Sequence, residues 1–233
     1  MPQCKKSISL VINARVQSTR VSNKLIRKFS GTTLLEISLD KLSLFTEFDC
    51  YLAAADDEII EIYNKKYSNS CIKFIQRNKE SVKKGYNDYG VAFAHYGNIP
   101  TSNIMWINPC SPFVKISTYK DAISHFMNND VLTMTSVKAS NNMFIDKSFS
   151  PININGDQVR SVQNDKIYEM SHLFHFFDKN YFLKNGSFWD YTDNNPKFYE
   201  VSKEESFDVD DPLDFVVAEA LYEKYGPVIG TEI

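Results

Sequence analysis

The residues best suited to chemistry in the first part of the chain lie in one short polar segment. Residues 13–24 read NARVQSTRVSNK and contain the cations Arg15, Arg20 and Lys24 among hydroxyl and amide side chains. Cations neutralise a triphosphate, and short polar side chains with main-chain N–H donors orient its oxygens. The segment matches neither a glycine-rich dinucleotide fingerprint nor a Walker phosphate loop. It predicts a phosphate-binding loop, and the alternative is an ordinary solvated basic loop.

A second candidate is the acidic segment 208–211, which reads DVDD. Alternate side chains of an extended segment point to the same side, so Asp208 and Asp210 share one face. Two carboxylates can hold Mg²⁺ and still leave coordination positions for phosphate oxygens and water. In the alternative interpretation, Asp210 or Asp211 caps a helix and Asp208 is a surface acid.

Two further segments carry reactive residue types. Residues 108–112 (NPCSP) follow an apolar run, and their two prolines predict a rigid turn that either positions a ligand or merely connects two elements. Within that turn, Cys110 has no histidine placed to activate it, which favours a buried structural thiol. Glu169, His172 and His175 are spaced to form a metal-binding patch if helical, although a partly exposed helical face is the simpler interpretation.

Short apolar runs that favour strands alternate with helical patterns from residue 7 to residue 137. The predicted strands are 7–14, 50–55, 72–75, 104–107 and 131–137, and the predicted helices are 34–44, 58–67, 89–96 and 118–127. This alternation predicts parallel strands, right-handed crossovers and helices on both faces of the sheet. Ligands of such folds bind beyond the carboxyl ends of the strands, which places 13–24, 55–57, Arg77 and 108–113 at one edge.

The alternation weakens between residues 139 and 200. We expect 139–195 to be an insertion or dimerisation segment of a single domain covering residues 1–233, with one helix around 172–183. A strand is predicted at 197–201. A final helix is predicted from Asp211 to Tyr222, because Asp211 is a good N-cap and Pro212 suits the first turn.

Composition narrows the class of protein. The chain has 233 residues, of which 43% are apolar and 24% charged, so it can bury a sizeable core without disulfides. A net charge of −3 provides no basic field for nucleic acid, and no nucleic-acid partner is expected. The N-terminal apolar stretch is too short for a signal peptide or a membrane span, so no membrane partner is expected. Four scattered cysteines predict reduced thiols and a cytoplasmic location.

Together, the three polar segments resemble those of the acylneuraminate cytidylyltransferase family, the CMP-sugar synthetases. The family has an Ala-Arg loop with Ser and Lys, a Gln-Pro-Thr-Ser-Pro-Leu-like turn, and an Asp-Ile-Asp segment before the last helix. The corresponding segments are 14–18 (ARVQS) with Lys24, 108–113 (NPCSPF), and 208–210 (DVD). The resemblance implies an α/β fold, a Rossmann-like, GT-A-like nucleotidyltransferase sandwich of three layers with a mostly parallel sheet and a small dimerisation insertion.

The same resemblance implies Mg²⁺-dependent transfer of CMP from CTP to an acidic sugar or related acceptor, with release of pyrophosphate. It also implies a homodimer acting in a surface-polysaccharide or related pathway. The residues it assigns to catalysis are Lys24, Arg15 and Asp210. Those it assigns to the nucleotide are Ala14, Arg15, Gln17, Ser18, Lys24, Arg77, Asn108 and Ser111, and those it assigns to Mg²⁺ are Asp208 and Asp210.

Several positions depart from the family pattern. Leu25 replaces the Asn that follows the lysine, Asn108 replaces Gln, and Val114 replaces the Arg that closes the turn. Residues 169–172 (EMSH) stand where the family has an Arg-x-Asn-Gly element. A cationic clamp for a sugar carboxylate is therefore largely missing, which predicts an acceptor other than an ordinary sialic acid.

Two alternative functions remain open at this point. One is a metal-dependent glycosyltransferase of related fold, although its DxD motif normally follows a mid-chain strand rather than preceding the last helix. The other is a diverged, non-catalytic nucleotide-binding module that acts through the aromatic-rich middle segment.

Overall fold

The computed structural model describes residues 7–83, 89–154, 164–192 and 195–226. Its strands are β1 (Ile8–Asn13), β2 (Lys28–Phe29), β3 (Thr32–Thr33), β4 (Asp49–Ala54), β5 (Ile72–Gln76), β6 (Asn103–Ile107), β7 (Met134–Ser140), β8 (Ile167–Asp178) and β9 (Lys197–Val201). Its α-helices are α1 (Leu34–Leu42), α2 (Asp57–Lys66), α3 (Tyr89–Ala92), α4 (Ile116–Asn128), α5 (Lys179–Asn185) and α6 (Pro212–Tyr225). Short 3₁₀ turns span Lys79–Val82 and Ala94–Asn98.

Seven strands form one sheet in the order β5-β4-β1-β6-β8-β7-β9, and β2 and β3 form a separate hairpin. β8 runs antiparallel to both of its neighbours, β6 and β7, whereas the other neighbouring pairs in the sheet are parallel. Six of the seven strands therefore share one direction, and their carboxyl ends meet at one edge. The predicted α/β architecture with a mostly parallel sheet is confirmed.

The central strand β1 is buried on both faces, because helices and turns cover the two sides of the sheet. Leu10 and Ile12 pack into the larger apolar cluster, which includes residues of α1, α4 and α6. Val11, between them, packs into a second cluster on the opposite face with Tyr96 and Phe182. The end of β1 is thereby held rigidly at the carboxyl edge, where the polar loop begins.

Helix α6 begins as the sequence predicts. The Asp211 carboxylate accepts hydrogen bonds from the N–H groups of Leu213 and Asp214, and the Asp214 carboxylate accepts from the N–H of Asp211. This capping box, with Pro212 in the first turn, fixes where the helix starts. The acids just before it, at 208 and 210, are consequently held in an extended segment at the sheet edge.

The predicted helix around 172–183 is wrong over residues 172–178, which belong to strand β8. Phe174 and Phe176 face one side of the sheet and Phe177 the other, so the strand is apolar on both faces. Such a run cannot be distinguished from a buried helix by periodicity alone. Helix α5 starts only at Lys179, where the Asp178 carboxylate accepts from the N–H of Tyr181.

The predicted insertion segment 139–195 therefore contributes a strand to the interior of the sheet. β8 lies between β6 and β7, and its first half continues past the end of β6 while still pairing with residues 137–140 of β7. A dimerisation role for this segment stays a prediction. In the part of the chain that the structure describes, no helix has the length and apolar character needed to cross a membrane.

Candidate active site

A cleft of about 250 Å³ opens at the carboxyl edge of the sheet, beyond the ends of β1 and β6. Polar and cationic side chains of the loop after β1 form one wall, and the end of β6 with the following turn forms the other. The lining residues are Asn13, Arg15, Gln17, Ser18, Thr19, Arg20, Lys24, Leu25, Trp106, Asn108, Pro109 and Cys110. The predicted loop and the predicted rigid turn thus face the same space.

The loop after β1 is anchored at its base by backbone hydrogen bonds. The N–H of Ala14 donates to the carbonyl of Ala53 at 2.9 Å, and the N–H of Val16 donates to the Asp56 carboxylate at 3.1 Å. From below, the Arg77 guanidinium donates to the Ala14 carbonyl at 3.2 Å. The loop is therefore positioned before any ligand arrives.

The acidic segment forms a neighbouring edge of the same site. Asp208 Oδ1 accepts hydrogen bonds from the Asn108 amide at 3.2 Å and from the Ser111 hydroxyl at 3.5 Å. Between the two acids, the N–H of Val209 donates to the carbonyl of Cys110 at 3.0 Å. The turn at 108–112 thus holds the acids in place.

Cations of the loop contact the acidic segment directly, although nearly 190 residues separate them in sequence. Arg20 Nη2 lies 2.7 Å from Asp210 Oδ1. The nearly buried Lys24 ammonium donates to the Val209 carbonyl at 2.5 Å and lies 3.6 Å from the same Asp210 oxygen. The fold therefore joins the predicted phosphate loop and the predicted metal-binding acids into one site.

The electrostatics of the acid pair fit a divalent cation. Burial and, to a smaller extent, the neighbouring Asp210 charge raise the pKa of Asp208 to about 6, against the lowering effects of Lys24, Asn108 and Ser111. Two carboxylates that repel each other in a partly buried site are stabilised when a cation binds between them. Two acid ligands are also the usual protein contribution to Mg²⁺ bound with phosphates. Within the described residues, no group of three or more His, Cys, Asp or Glu forms a richer metal cluster.

The predicted nucleotide-binding residues occupy different depths of the site. Arg15, Gln17, Ser18, Lys24 and Asn108 line the cleft. Behind them, Ala14 is fully buried, and Arg77 lies almost buried beneath it, bound to its carbonyl. Ser111 is buried against Asp208. The last three residues shape the site from behind rather than forming its surface.

Cys110 lines the cleft but is not suited to be a nucleophile. Burial raises the pKa of its thiol to about 11, so the thiol stays protonated near neutral pH. Only the thiolate is strongly nucleophilic. The geometry agrees with the prediction of a structural cysteine.

The helical metal patch considered for 169–175 does not form, because these residues lie in β8. Glu169 forms an ion pair with Lys138 of β7 at 3.2 Å, whereas His172 Nδ1 lies 3.3 Å from His175 Nε2. Sequence reasoning missed Trp106 as a cleft residue, and it included Asn13 in the predicted loop without giving it a separate role. Asn13 is bound by Tyr96 and His95 at 2.6 and 2.8 Å. Its only sequence signal was a polar residue at the end of an apolar strand.

Several solved structures share the fold. A CMP-2-keto-3-deoxy-manno-octonic acid synthetase complexed with CTP is 12% identical, with a TM-score of 0.68 over 94% of this chain and 99% of that one. A 4-diphosphocytidyl-2C-methyl-D-erythritol synthase from Anaerococcus prevotii is 17% identical, with a TM-score of 0.65 over 94% and 99%. HddC from Yersinia pseudotuberculosis is 18% identical, with a TM-score of 0.59 over 92% and 99%. At such identities these similarities establish the fold alone.

No curated protein was found to match the sequence. A family model described as cytidylyltransferase, in contrast, matches residues 9–231. That match includes the loop after β1, the turn after β6 and the acidic segment before α6. The protein therefore belongs to the cytidylyltransferase family, and it is a nucleotidyltransferase.

Proposed function

We propose that the protein transfers CMP from CTP to a small-molecule acceptor, an acidic sugar or a related compound, and releases pyrophosphate. The observation that carries the proposal is the convergence of Arg15, Arg20 and Lys24 with Asp208 and Asp210 at one cleft. Phosphoryl transfer depends mainly on positioning and on electrostatic stabilisation of charge, and this cleft offers both.

The cations have distinct parts in this proposal. Arg15 and Lys24 bind the triphosphate, and Lys24 neutralises charge on the α-phosphate while the acceptor oxygen attacks and the bond to pyrophosphate breaks. In the ligand-free protein, Arg20 and Lys24 are held by Asp210. Phosphate oxygens compete for these cations, so nucleotide binding frees the Asp210 carboxylate for a metal ion.

Asp208 and Asp210 are the residues that would hold Mg²⁺. When bound, the metal neutralises phosphate charge and orients the reacting groups. Asn108 and Ser111 keep Asp208 in position through their hydrogen bonds. Gln17 and Ser18 present polar groups to the nucleotide from the same loop that carries Arg15.

The first test is a thermal-shift panel of CTP, UTP, ATP and GTP with and without Mg²⁺. A ligand that binds only the folded state raises its stability by RT ln(1 + [L]/Kd), about 2.7 kcal/mol at a hundredfold excess over Kd. We expect CTP with Mg²⁺ to give the largest rise in Tm, and pyrophosphate release to require an acceptor. If no nucleotide raises the Tm, the transferase proposal fails and a non-catalytic module becomes the better account. A larger rise with another nucleotide would overturn CTP as the donor.

We also propose that the enzyme works as a cytoplasmic homodimer through part of segment 139–195. Large apolar side chains of this segment are exposed in the single chain, among them Met143, Ile145, Phe149, Ile152 and Tyr168. Contiguous exposed apolar surface is typical of protein interfaces. Light scattering after gel filtration should give twice the chain mass, and Phe149→Asp with Ile152→Asp should reduce it to that of one chain. A monomeric parent protein would contradict the proposal.

A further inference from the structure

Four rings form a continuous cluster that reaches the cleft at Trp106. We call Trp106, His175, His172 and Trp189 the aromatic row. The Trp106 and His175 rings stack, with centroids 5.1 Å apart and an interplanar angle of 12°. Trp189 packs edge-on against His175 at 5.1 Å, and His172 Nδ1 lies 3.3 Å from His175 Nε2. The row runs from the partly buried Trp106 to the exposed His172.

The row is attached to the proposed reaction site at two points. Trp106 itself lines the cleft. Beyond the end of β6, the N–H of Asn108 donates to the carbonyl of Leu173 at 2.9 Å, while the Asn108 amide donates to Asp208. His172 therefore directly precedes Leu173, whose carbonyl accepts a hydrogen bond from Asn108 in the cleft wall. The row is thereby connected to the turn that holds Asp208.

The indole N–H of Trp106 is buried and has no hydrogen-bond partner among the described residues. Buried polar groups in native proteins are nearly always paired, and an unpaired one calls for a specific explanation. Because the Trp106 ring lines the cleft, a ligand oxygen that reached the edge of the indole on binding would complete this hydrogen bonding.

His172 is held in a conformation that favours glycine. Its φ is +52°, and it lies in β8 where the register with β7 shifts between Thr135 and Val137. The left-handed region costs a non-glycine residue about 1–2 kcal/mol, and such strain is concentrated at functional sites. The imidazole is also held in place, because His175 contacts it and is itself bonded to the Thr135 hydroxyl at 2.8 Å. Position 172 thus carries a histidine with a fixed ring, although glycine would adopt this backbone conformation with less strain.

The row offers hydrogen bonds and ring faces, and it contains no lysine or arginine. Burial, aided by the neighbouring His172, lowers the pKa of His175 to about 3, so that ring is uncharged near neutral pH. Both nitrogens of His175 are already engaged by Thr135 and His172, so the groups left to pair with a ligand hydroxyl include the Nε2 atom of His172 and the N–H of Trp106. Apolar ring faces suit the C–H surface of a sugar or polyol, as in most small-molecule sites.

We propose that the aromatic row is the acceptor-binding wall of the cleft, and that His172 and Trp106 select a polyhydroxylated acceptor through its hydroxyl groups rather than through a carboxylate. This inference rests on the proposed function, which places the nucleotide against the phosphate loop. His172 and Trp106 act as specificity-determining residues for the acceptor, whereas Lys24, Asp208 and Asp210 act at the reacting phosphate.

The two tryptophans of the chain are both in the row, so a change in tryptophan emission at constant, saturating CTP reports on the row. CTP binding is measured first by thermal shift, and its absence would overturn the proposed function. With CTP saturating and EDTA present to prevent turnover, the protein is then titrated with D-mannose, D-mannitol and 2-keto-3-deoxy-manno-octonic acid. We expect a saturable emission change with at least one of the two neutral probes. If CTP binds but neither neutral probe changes the emission, or only the carboxylate probe does, the inference fails by itself.

The decisive variant is His172→Gly, which removes the ring and relieves the strained backbone. We expect a Tm equal to or above that of the parent, an unchanged CTP shift, and a Kd for the neutral probe raised about tenfold. Ser30→Gly is the matched control, because Ser30 also has a positive φ, +45°, and lies in the β2–β3 hairpin. The control should bind the probe like the parent. Equal probe affinity in His172→Gly would refute the role of His172.

Discussion

The two walls of the cleft are built from different side chains and stabilised in different ways. The phosphate loop and the acidic segment are charged, and their charges already pair with each other through Arg20, Lys24 and Asp210. The aromatic row contains no lysine, arginine or carboxylate, and within the described residues it leaves the Trp106 N–H without a partner. The charged wall would thus exchange ion-pair partners when a nucleotide binds, whereas the aromatic row would gain a hydrogen bond when an acceptor binds. Substitutions in the charged wall should therefore affect chemistry, and those in the aromatic row should affect acceptor affinity.

The largest expected effect is that of Lys24→Ala on the charged wall. Lys24 is nearly buried and donates to the Val209 carbonyl, so it is positioned where charge on a phosphate has to be neutralised. Removing one such preorganised donor lowers turnover by about 10²–10³-fold. Single-turnover pyrophosphate release measures the chemical step directly. Lys28→Ala, at an exposed lysine of the adjacent hairpin, is the control and should leave the rate unchanged. A parent-like rate in Lys24→Ala would remove this residue from the reaction.

Asp210→Asn should reduce Mg²⁺-dependent turnover by about 10²-fold, because it deletes one of two carboxylates available to the metal. Stability should hardly change, since the Arg20–Asp210 ion pair is largely exposed and such pairs contribute about 0–1 kcal/mol. Turnover measured across a Mg²⁺ titration, together with a melting curve, separates the two effects. Asp49→Asn breaks a comparable exposed pair, with Lys73, at the amino-terminal end of β4 and so at the edge of the sheet opposite the cleft. It should match the small change in Tm and keep full activity.

The two walls also differ in how much of each could be predicted from the sequence. The charged wall follows from local rules: β1 ends at Asn13, parallel strands end at one edge, and Asp211 with Pro212 marks the start of α6. These rules indicated the loop, the turn and the acids, and they gave the correct fold class. The pairing of Arg20 with Asp210 required the fold, because no local pattern links residues so distant in sequence.

The aromatic row could not be predicted because it depends on β8. This strand is apolar on both faces, so its residues 172–178 were predicted as part of a helix, and the sequence predicted no antiparallel neighbour for β6. Its register with β6 sets His175 opposite Trp106. The irregular pairing with β7 then allows the conformation of His172, and neither feature is written in the spacing of the residues.

A smaller expected effect, on the free energy of unfolding, concerns the repulsion between the Asp208 and Asp210 carboxylates in the charged wall. The pKa of Asp208 is raised from 3.8 to about 6, mainly by burial and then by Asp210. A raised folded-state pKa means that the folded protein binds the proton more tightly than the unfolded chain. The resulting stabilisation is present below about pH 4 and is lost as the pH rises through about 6. At neutral pH the ionised Asp208 therefore costs the metal-free protein stability.

Asp208→Asn should accordingly be more stable than the parent in EDTA at about pH 7.5, by about 1–2 kcal/mol, which corresponds to about 2–8 °C in Tm. The difference should shrink as the pH is lowered to about 4.5, because the parent carboxyl becomes protonated. Melting curves across this range test both statements, and Mg²⁺-dependent activity should be lost in the variant at every pH. A variant that melts below the parent at about pH 7.5 would show that Asp208 is held favourably rather than under repulsion.

The smallest expected effect belongs to the neutral wall. Trp106→Phe keeps an aromatic ring to stack on His175 and removes the buried N–H, so the free protein loses no hydrogen bond. Only the complex with an acceptor loses one, and a neutral hydrogen bond contributes about 1 kcal/mol, or about fivefold in affinity. Trp189 remains as the single indole reporter for a titration with the neutral probe. The thermal shift given by CTP should equal that of the parent. If the substitution weakened CTP and left the probe unaffected, Trp106 would belong to the nucleotide side, and the division of the cleft into a charged wall and a neutral wall would be wrong.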